Sequence, residues 1–340
     1  MKNASDAKKS PARPPTLEDV ARAAGLSPIT VSRALNTPDI VRPKTVAKVK
    51  EAVQLTGYIP NMLAGGLASR RSKLIAVVVP QINNSMFIDT IQAISDELAL
   101  RNYHMLLCVS GYSPETEADI VSTLLSRRPD GIVLTGIHHS SELKKCVLNA
   151  AIPVVEIWDL TPTPLDMLIG FSHEKIGNAL ARFMFGKGHQ RFGLIWTPDQ
   201  RAALRHKGIM DVFATHEGLT FTDSHVPLPA TIARGREAMA QLLDSGEQYG
   251  AIICSSDTLA QGAIFEAQSR GLRVPEDVAV IGFGDLDFAQ CTLPPLTTVK
   301  IDRWKIGQQA ATLLADKIEG LPVAESVVDI GFTLIERGSA

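Results

Sequence analysis

Apolar residues fall along this chain in two successive rhythms, helical spacing from Thr16 to Gly57 and short continuous runs from Leu74 onward. In the first region Leu17, Val20, Ala21 and Ala24 share one helical face. Thr16 with Asp19 three residues on makes a variant capping box, and Gly25 supplies the left-handed residue that ends the helix in a tight turn. Ser27 then caps a second helix with Pro28 at its first position, where a missing N–H costs nothing. That helix buries Val31 and Leu35 and turns Ile29, Thr30, Ser32 and Arg33 outward. A third helix begins near Arg42 and Pro43, carries Val46, Val49, Ala52 and Val53, and stops before Gly57. Two short helices across a glycine-containing turn, braced by a third, predict a helix-turn-helix.

Beyond Leu74 the strand-like runs are LIAVVVP, MLLCVS, GIVLTG, PVVEIW, FGLIW, GAIICSS and VAVIGFG. Amphipathic helices such as 87–101, 115–127 and 176–186 separate them. Buried strands alternating with helices predict parallel sheets with right-handed crossovers, and two such sets predict two lobes. Ligands are then expected at the strand carboxyl ends. The expected fold class is an N-terminal all-α helix-turn-helix head plus an α/β two-lobed domain. The expected boundaries are a flexible tail at 1–15, the head at 16–60, a hinge at 61–72 and the two-lobed effector-binding and dimerisation domain at 73–340.

Charge sharpens this division. The net of −2 over 340 residues conceals 13 Lys and Arg against 5 Asp and Glu up to Lys73, a net of +8. The remainder holds 21 against 31, a net of −10. A basic head on an acidic body is the footprint of nucleic-acid binding confined to one end. No apolar run approaches the roughly 20 residues of a bilayer span. The N-terminal MKNASDAKKSPARPP lacks the apolar segment of a secretory signal. Cys108, Cys146, Cys254 and Cys291 are scattered, with no CxxC pair, which fits free thiols in a reducing compartment. A cytoplasmic protein is expected.

Enzyme chemistry finds no support. Gly282-Phe283-Gly284-Asp285 lacks the third glycine of a dinucleotide fingerprint, and neither a P-loop nor a GxSxG elbow occurs. His138 and His139 are adjacent, so they point apart on a strand or helix and do not make a metal pair. No cofactor and no metal is expected.

The strings LEDVARAAGLSPITVSRALN and GYIPNMLAGGLASRRSKLIAVVVP closely resemble the LacI/GalR family of repressors. FSHEKIG, AIICSSDTLAQGA, RVPEDVAVIGFGD and LPPLTTVKID continue the resemblance to the end of the chain. It implies a periplasmic-binding-protein-like body, a homodimer and a pseudo-palindromic double-stranded DNA operator. Pro28, Ile29 and Arg33 are then expected at major-groove base edges, Thr30, Ser32 and Asn36 on phosphates, and Tyr58 between head and backbone. Leu17, Ser27, Asn61 and Ala64 complete the DNA-binding set, with Leu67 as a minor-groove wedge. Arg33 has the geometry to pair bidentately with guanine, whereas Pro28 and Ile29 depart from members carrying polar residues there. Gly65 and Gly66 weaken the hinge helix by about 1 kcal/mol each. It is expected to be unfolded off DNA. Only two residues follow Gly338, too few for a leucine-zipper extension, which favours a dimer over a tetramer.

For the effector cleft the resemblance implies Phe87, Thr135, Trp158, Asp159, Arg205, Ser256, Asp257 and Asp285. Such a set offers an aromatic face, carboxylates for hydroxyls and a guanidinium for oxyanions. Ser256 and Gly284 stand where many sugar-binding members carry Asn and Asp, which makes the cleft less acidic. IPVVEIWD and GFTLIERG resemble the gluconate-utilisation repressors of the family. A sugar acid such as gluconate is the expected effector, with neutral sugars and purines as alternatives. The body strings also resemble periplasmic sugar-binding proteins, but those carry a signal peptide and lack the helix-turn-helix.

Overall fold

The computed structural model describes residues 13–59, 71–82 and 85–340. It divides into two compact units, Met1–Ser72 and Lys73–Ala340. In the first, α1 (Leu17–Ala24), α2 (Pro28–Asn36) and α3 (Pro43–Thr56) enclose a small core of Val20, Ala21, Ala24, Val31, Ala34, Val49 and Ala52. The caps follow the residues that specify them. The Asp19 carboxylate accepts from both the N–H and the hydroxyl of Thr16 at 2.9 and 2.8 Å. Gly25 takes φ 60° and closes α1, and the Ser27 hydroxyl accepts from the Thr30 N–H.

The second unit is two parallel sheets. The first holds β1 (Leu74–Val79), β2 (His104–Val109), β3 (Gly131–Thr135), β4 (Val154–Ile157), β5 (Met167–Gly170) and β11 (Val327–Asp329), in the order β11-β5-β4-β3-β1-β2. The second holds β6 (Arg191–Trp196), β7 (Thr220–His225), β8 (Ala251–Cys254) and β9 (Ala279–Ile281), in the order β7-β6-β8-β9. Central strands β1, β3, β4 and β8 are buried almost end to end, as their unbroken apolar sequence requires.

Helices cover both sheets in pairs. In the first lobe α4 (Ser85–Leu100) packs against α11 (Arg303–Glu319), and α5 (Pro114–Ser126) against α6 (Ser141–Ala150). In the second, α7 (His173–Gly186) packs on α8 (Gln200–Phe213), and α9 (Ile232–Asp244) on α10 (Asp257–Ser269). The chain passes between lobes after β5, after β9 and after β11, and an antiparallel ribbon of β10 (Thr298–Lys300) and β12 (Thr333–Ile335) accompanies the later crossings. The α7–α8 contact is backbone on backbone. A Cβ at Gly177 would sit 1.9 Å from the Arg205 carbonyl oxygen, and one at Gly208 would sit 2.2 Å from that of Glu174.

Candidate functional site

On the head, α2 presents an outer face of polar and apolar groups over the buried Val31 and Ala34. Pro28, Ile29, Arg33 and Asn36 are exposed, Ile29 to 66%, while Thr30 and Ser32 are half-buried. Ile29 is a large apolar side chain left in water on a helix whose opposite face has a core to pack against. Ser27 and Thr30 join hydroxyls at 2.9 Å, and the Asn36 amide donates to Ser32 at 3.2 Å. Those side chains are held along the helix rim. Leu17 and Tyr58 differ from the rest: both pack against the head core. What Leu17 offers outward is therefore its backbone N–H at the start of α1. Asn61, Ala64 and Leu67 lie outside the described residues.

In the second unit the carboxyl ends of β1, β3 and β4 face those of β6, β8 and β9 across a cleft, the place where open parallel sheets bind ligands. Two cavities occupy it. The first, about 230 Å3, is bordered by Phe87, Trp158, His173, Arg205, Ser256 and Phe283 among others. The second, about 360 Å3, is bordered by Ser110, Thr135, His138 and Asp159. Tyr112, Asp199, Arg201 and Leu228 border both, so the two cavities adjoin.

Arg205 dominates the first cavity. It is 5% exposed, and its guanidinium lies 4.0 Å from the centroid of the Phe283 ring. One Nη donates to His173 Nδ1 at 3.0 Å and the other to the Ser255 carbonyl at 3.0 Å, while Nε–H has no partner. No carboxylate among the described residues forms an ion pair with it. Burial lowers its pKa to about 10, so it stays charged at neutral pH. An unpaired buried cation costs several kcal/mol, which makes the position a candidate ligand contact.

His173 links this arginine to the first lobe. Its Nδ1 accepts from Arg205, so its Nε2–H donates to the Trp158 carbonyl at 3.0 Å. Burial and the neighbouring Arg205 hold its pKa well below the usual histidine range, and it is neutral. Trp158 itself adopts φ 72°, a strained conformation for an aromatic residue. The ring is wedged edge-on between Phe87 at 5.2 Å and Phe171 at 5.8 Å. Its indole N–H is buried without a partner, as is Asp159 Oδ2. Burial raises the Asp159 pKa. Three residues bordering the cleft thus leave two donors and one acceptor buried without partners.

Of the expected effector residues, Phe87, Trp158, Arg205 and Ser256 border the first cavity, and Thr135 and Asp159 the second. Ser256 doubles as the N-cap of α10. Asp257 and Asp285 border neither. The Asp257 carboxylate, fully buried, accepts from the Leu286 N–H at 2.8 Å and from the Thr298 hydroxyl. Burial pushes it up to about 6. Asp285 pairs with Arg337 at 2.7 Å. Both carboxylates fasten the crossing segment instead of facing the ligand space. Gly284 cannot restore one there: it has φ 132°, and a Cβ would stand 2.5 Å from Met86 Sδ.

Sequence reasoning missed Arg201 and His173. Arg201 stands one helical turn before Arg205, 5.7 Å from the Phe87 ring, and no carboxylate among the described residues forms an ion pair with it. The i,i+4 spacing of the two arginines was the available signal.

Known proteins carry the same two parts. Residues 16–61 match the bacterial regulatory proteins of the lacI family, and residues 181–340 match the periplasmic binding protein-like domain. The chain is 37% identical over 330 residues to the HTH-type transcriptional regulator GntR of Pseudomonas aeruginosa, covering 96% of this chain and 95% of that one. A LacI-family transcriptional regulator from Silicibacter pomeroyi superposes with a TM-score of 0.90 at 30% identity, over 96% of this chain and 99% of that one. The lac repressor dimer bound to operator and the anti-inducer ONPF superposes with a TM-score of 0.81 at 26% identity, over 96% and 99%.

Proposed function

Because the chain belongs to the lacI family of bacterial regulatory proteins, with a helix-turn-helix head and a two-lobed periplasmic-binding-like body, we propose that it is a cytoplasmic homodimeric repressor released from its operator by a sugar acid such as gluconate. The observation that supports the acid is the pair of arginines at one cavity, Arg205 buried and Arg201 half-buried, neither in an ion pair with a carboxylate. A ligand carboxylate supplies the missing charge and accepts from guanidinium N–H groups, a contact roughly twice as strong as a neutral hydrogen bond. A neutral sugar would leave both cations uncompensated.

The head reads DNA through α2. Arg33 pairs with a guanine, Ile29 rests on a thymine methyl, and Ser27, Thr30, Ser32 and Asn36 hold phosphates around them. Two heads on one dimer match two half-sites of a pseudo-palindrome. The acid bridges both lobes, since Arg205 lies on the second and Trp158 on the first. It favours the lobe arrangement that fits it, and operator affinity falls by its differential affinity for the two arrangements. Nothing in this scheme requires a catalytic group.

The test is a titration of the full-length protein on a fluorescent palindromic operator at fixed salt, with gluconate, ketogluconate, glucose and a purine. A specific complex weakened by an acid at concentrations where glucose and the purine do nothing is the expected result. Stronger release by a neutral sugar would overturn the choice of effector.

A further inference from the structure

The second cavity is larger than the first, and the carboxylate anchor alone leaves it unused. We propose that it is a subsite for a neutral, hydroxyl-rich extension, so that the effector class is an aldonic acid carrying a second sugar unit. This rests on the sugar-acid reading of the first cavity.

Adjacency is the first ground. Tyr112, Asp199, Arg201 and Leu228 border both cavities, so an extension from a ligand in the first is placed beside the second. Chemistry is the second. Asp159 is 2% exposed, borders only the second cavity, and keeps Oδ2 without a partner after Oδ1 has accepted the Leu160 N–H at 2.8 Å. A buried, unsatisfied acceptor on a residue that borders a cavity calls for a donor, and a sugar hydroxyl is one. Ser110, Thr135 and His138 along the same cavity suit a polyhydroxyl ligand.

Charge disfavours a second anion beside Asp159. The other carboxylates bordering this cavity are already engaged: Glu117 with His139 at 3.0 Å, and Asp199 with the Thr197 hydroxyl and the Ala202 N–H at 2.8 and 3.0 Å. Asp159 is left to face the ligand, and a phosphate or second carboxylate beside it meets a like-charged or acceptor-only group. Arg201 borders both cavities and stands one turn from Arg205, beside which the acid is placed.

Calorimetry on the full-length protein compares gluconate with lactobionate, a gluconate bearing a hexose, and with 6-phosphogluconate. Lactobionate is expected to bind at least tenfold tighter than gluconate. That ratio is expected to fall toward one in Asp159→Asn, and in Ile137→Trp, which fills the second cavity without bordering the first; operator binding by each variant confirms folding. Equal affinities for lactobionate and gluconate, a ratio that both variants leave intact, or a preference for 6-phosphogluconate would each overturn the proposal. If no acid binds, the sugar-acid reading fails by itself. Lactose against galactose then decides the second cavity, with an Asp159-dependent preference for the disaccharide supporting it and no preference overturning it.

Discussion

Arg33 on the head and Arg205 in the cleft carry the same side chain into opposite conditions. Arg33 lies in solvent on α2, and no carboxylate among the described residues forms an ion pair with it. Arg205 is 5% exposed, held by His173 and the Ser255 carbonyl and roofed by Phe283. The exposed cation keeps its hydration, and salt screens it. The buried cation lost its water when the body folded and is held as an oriented charge at low dielectric. The head is thus built for reversible, salt-tuned association along DNA, and the cleft for selectivity among small molecules.

The largest expected effect tests the buried side. Arg205→Met should weaken gluconate by 100-fold or more, within the roughly 2–5 kcal/mol for truncating a buried charged partner, and the operator complex should stop responding to the acid. Calorimetry reads the first and operator titration the second. A loss under threefold would make Arg205 a brace between lobes and not a ligand anchor.

A second contrast is in pH. The head has no histidine; all eight lie from His104 onward. His139, buried in the first lobe, sits between Glu117 at 3.0 Å and Glu156 at 3.5 Å. Burial opposes its charge, but hydrogen bonds and attraction from the two carboxylates outweigh it and push the pKa up to about 9. The folded state therefore holds this proton more tightly than the unfolded chain. The stabilisation is full below the ordinary value of 6.5 and is lost as pH rises through about 9. It is of the order of 3 kcal/mol. Chemical denaturation of the body between pH 6.5 and 9.5 should show the decline, and Glu117→Gln should flatten it. A wild-type curve already flat across that interval would show that His139 carries no such charge.

The smallest expected effect is on the exposed side. Arg33→Ala should cost operator affinity about 1–3 kcal/mol, roughly 10- to 100-fold, with the salt slope nearly unchanged because a base contact and not a phosphate contact is lost. A slope reduced by about one would reassign Arg33 to the backbone.

The head was legible in the sequence because its determinants are local. Thr16, Gly25, Ser27 and Pro28 cap helices within a few residues of themselves, and the apolar spacing names the core. The buried strands were equally plain. β7 was not, since TFTDSH at a sheet edge is mostly exposed and carries little apolar signal. Nor was β5, since MLIG is only four residues long and too short to show a strand period. In the cleft, Trp158, Phe87 and Arg205 border the first cavity, as the family resemblance implied. Asp257 and Asp285 do not, because what decides their role is distant: Thr298 lies 41 residues from Asp257, and Arg337 lies 52 from Asp285. A carboxylate at a strand end looks the same in sequence whether it faces a ligand or an internal partner.

The glycine contact between α7 and α8 sets limits for anyone recasting this protein as a sensor for another molecule. Gly177 and Gly208 leave no room even for a methyl group, so every library member altered there is expected to lose the shape that holds both His173 and Arg205. Arg201 is half-buried at the cleft, forms no ion pair with a carboxylate among the described residues, and accepts variety. A useful library randomises the rim of the cleft and leaves the glycine seam behind it fixed, trading diversity at two positions for a wall that keeps its form while the ligand changes.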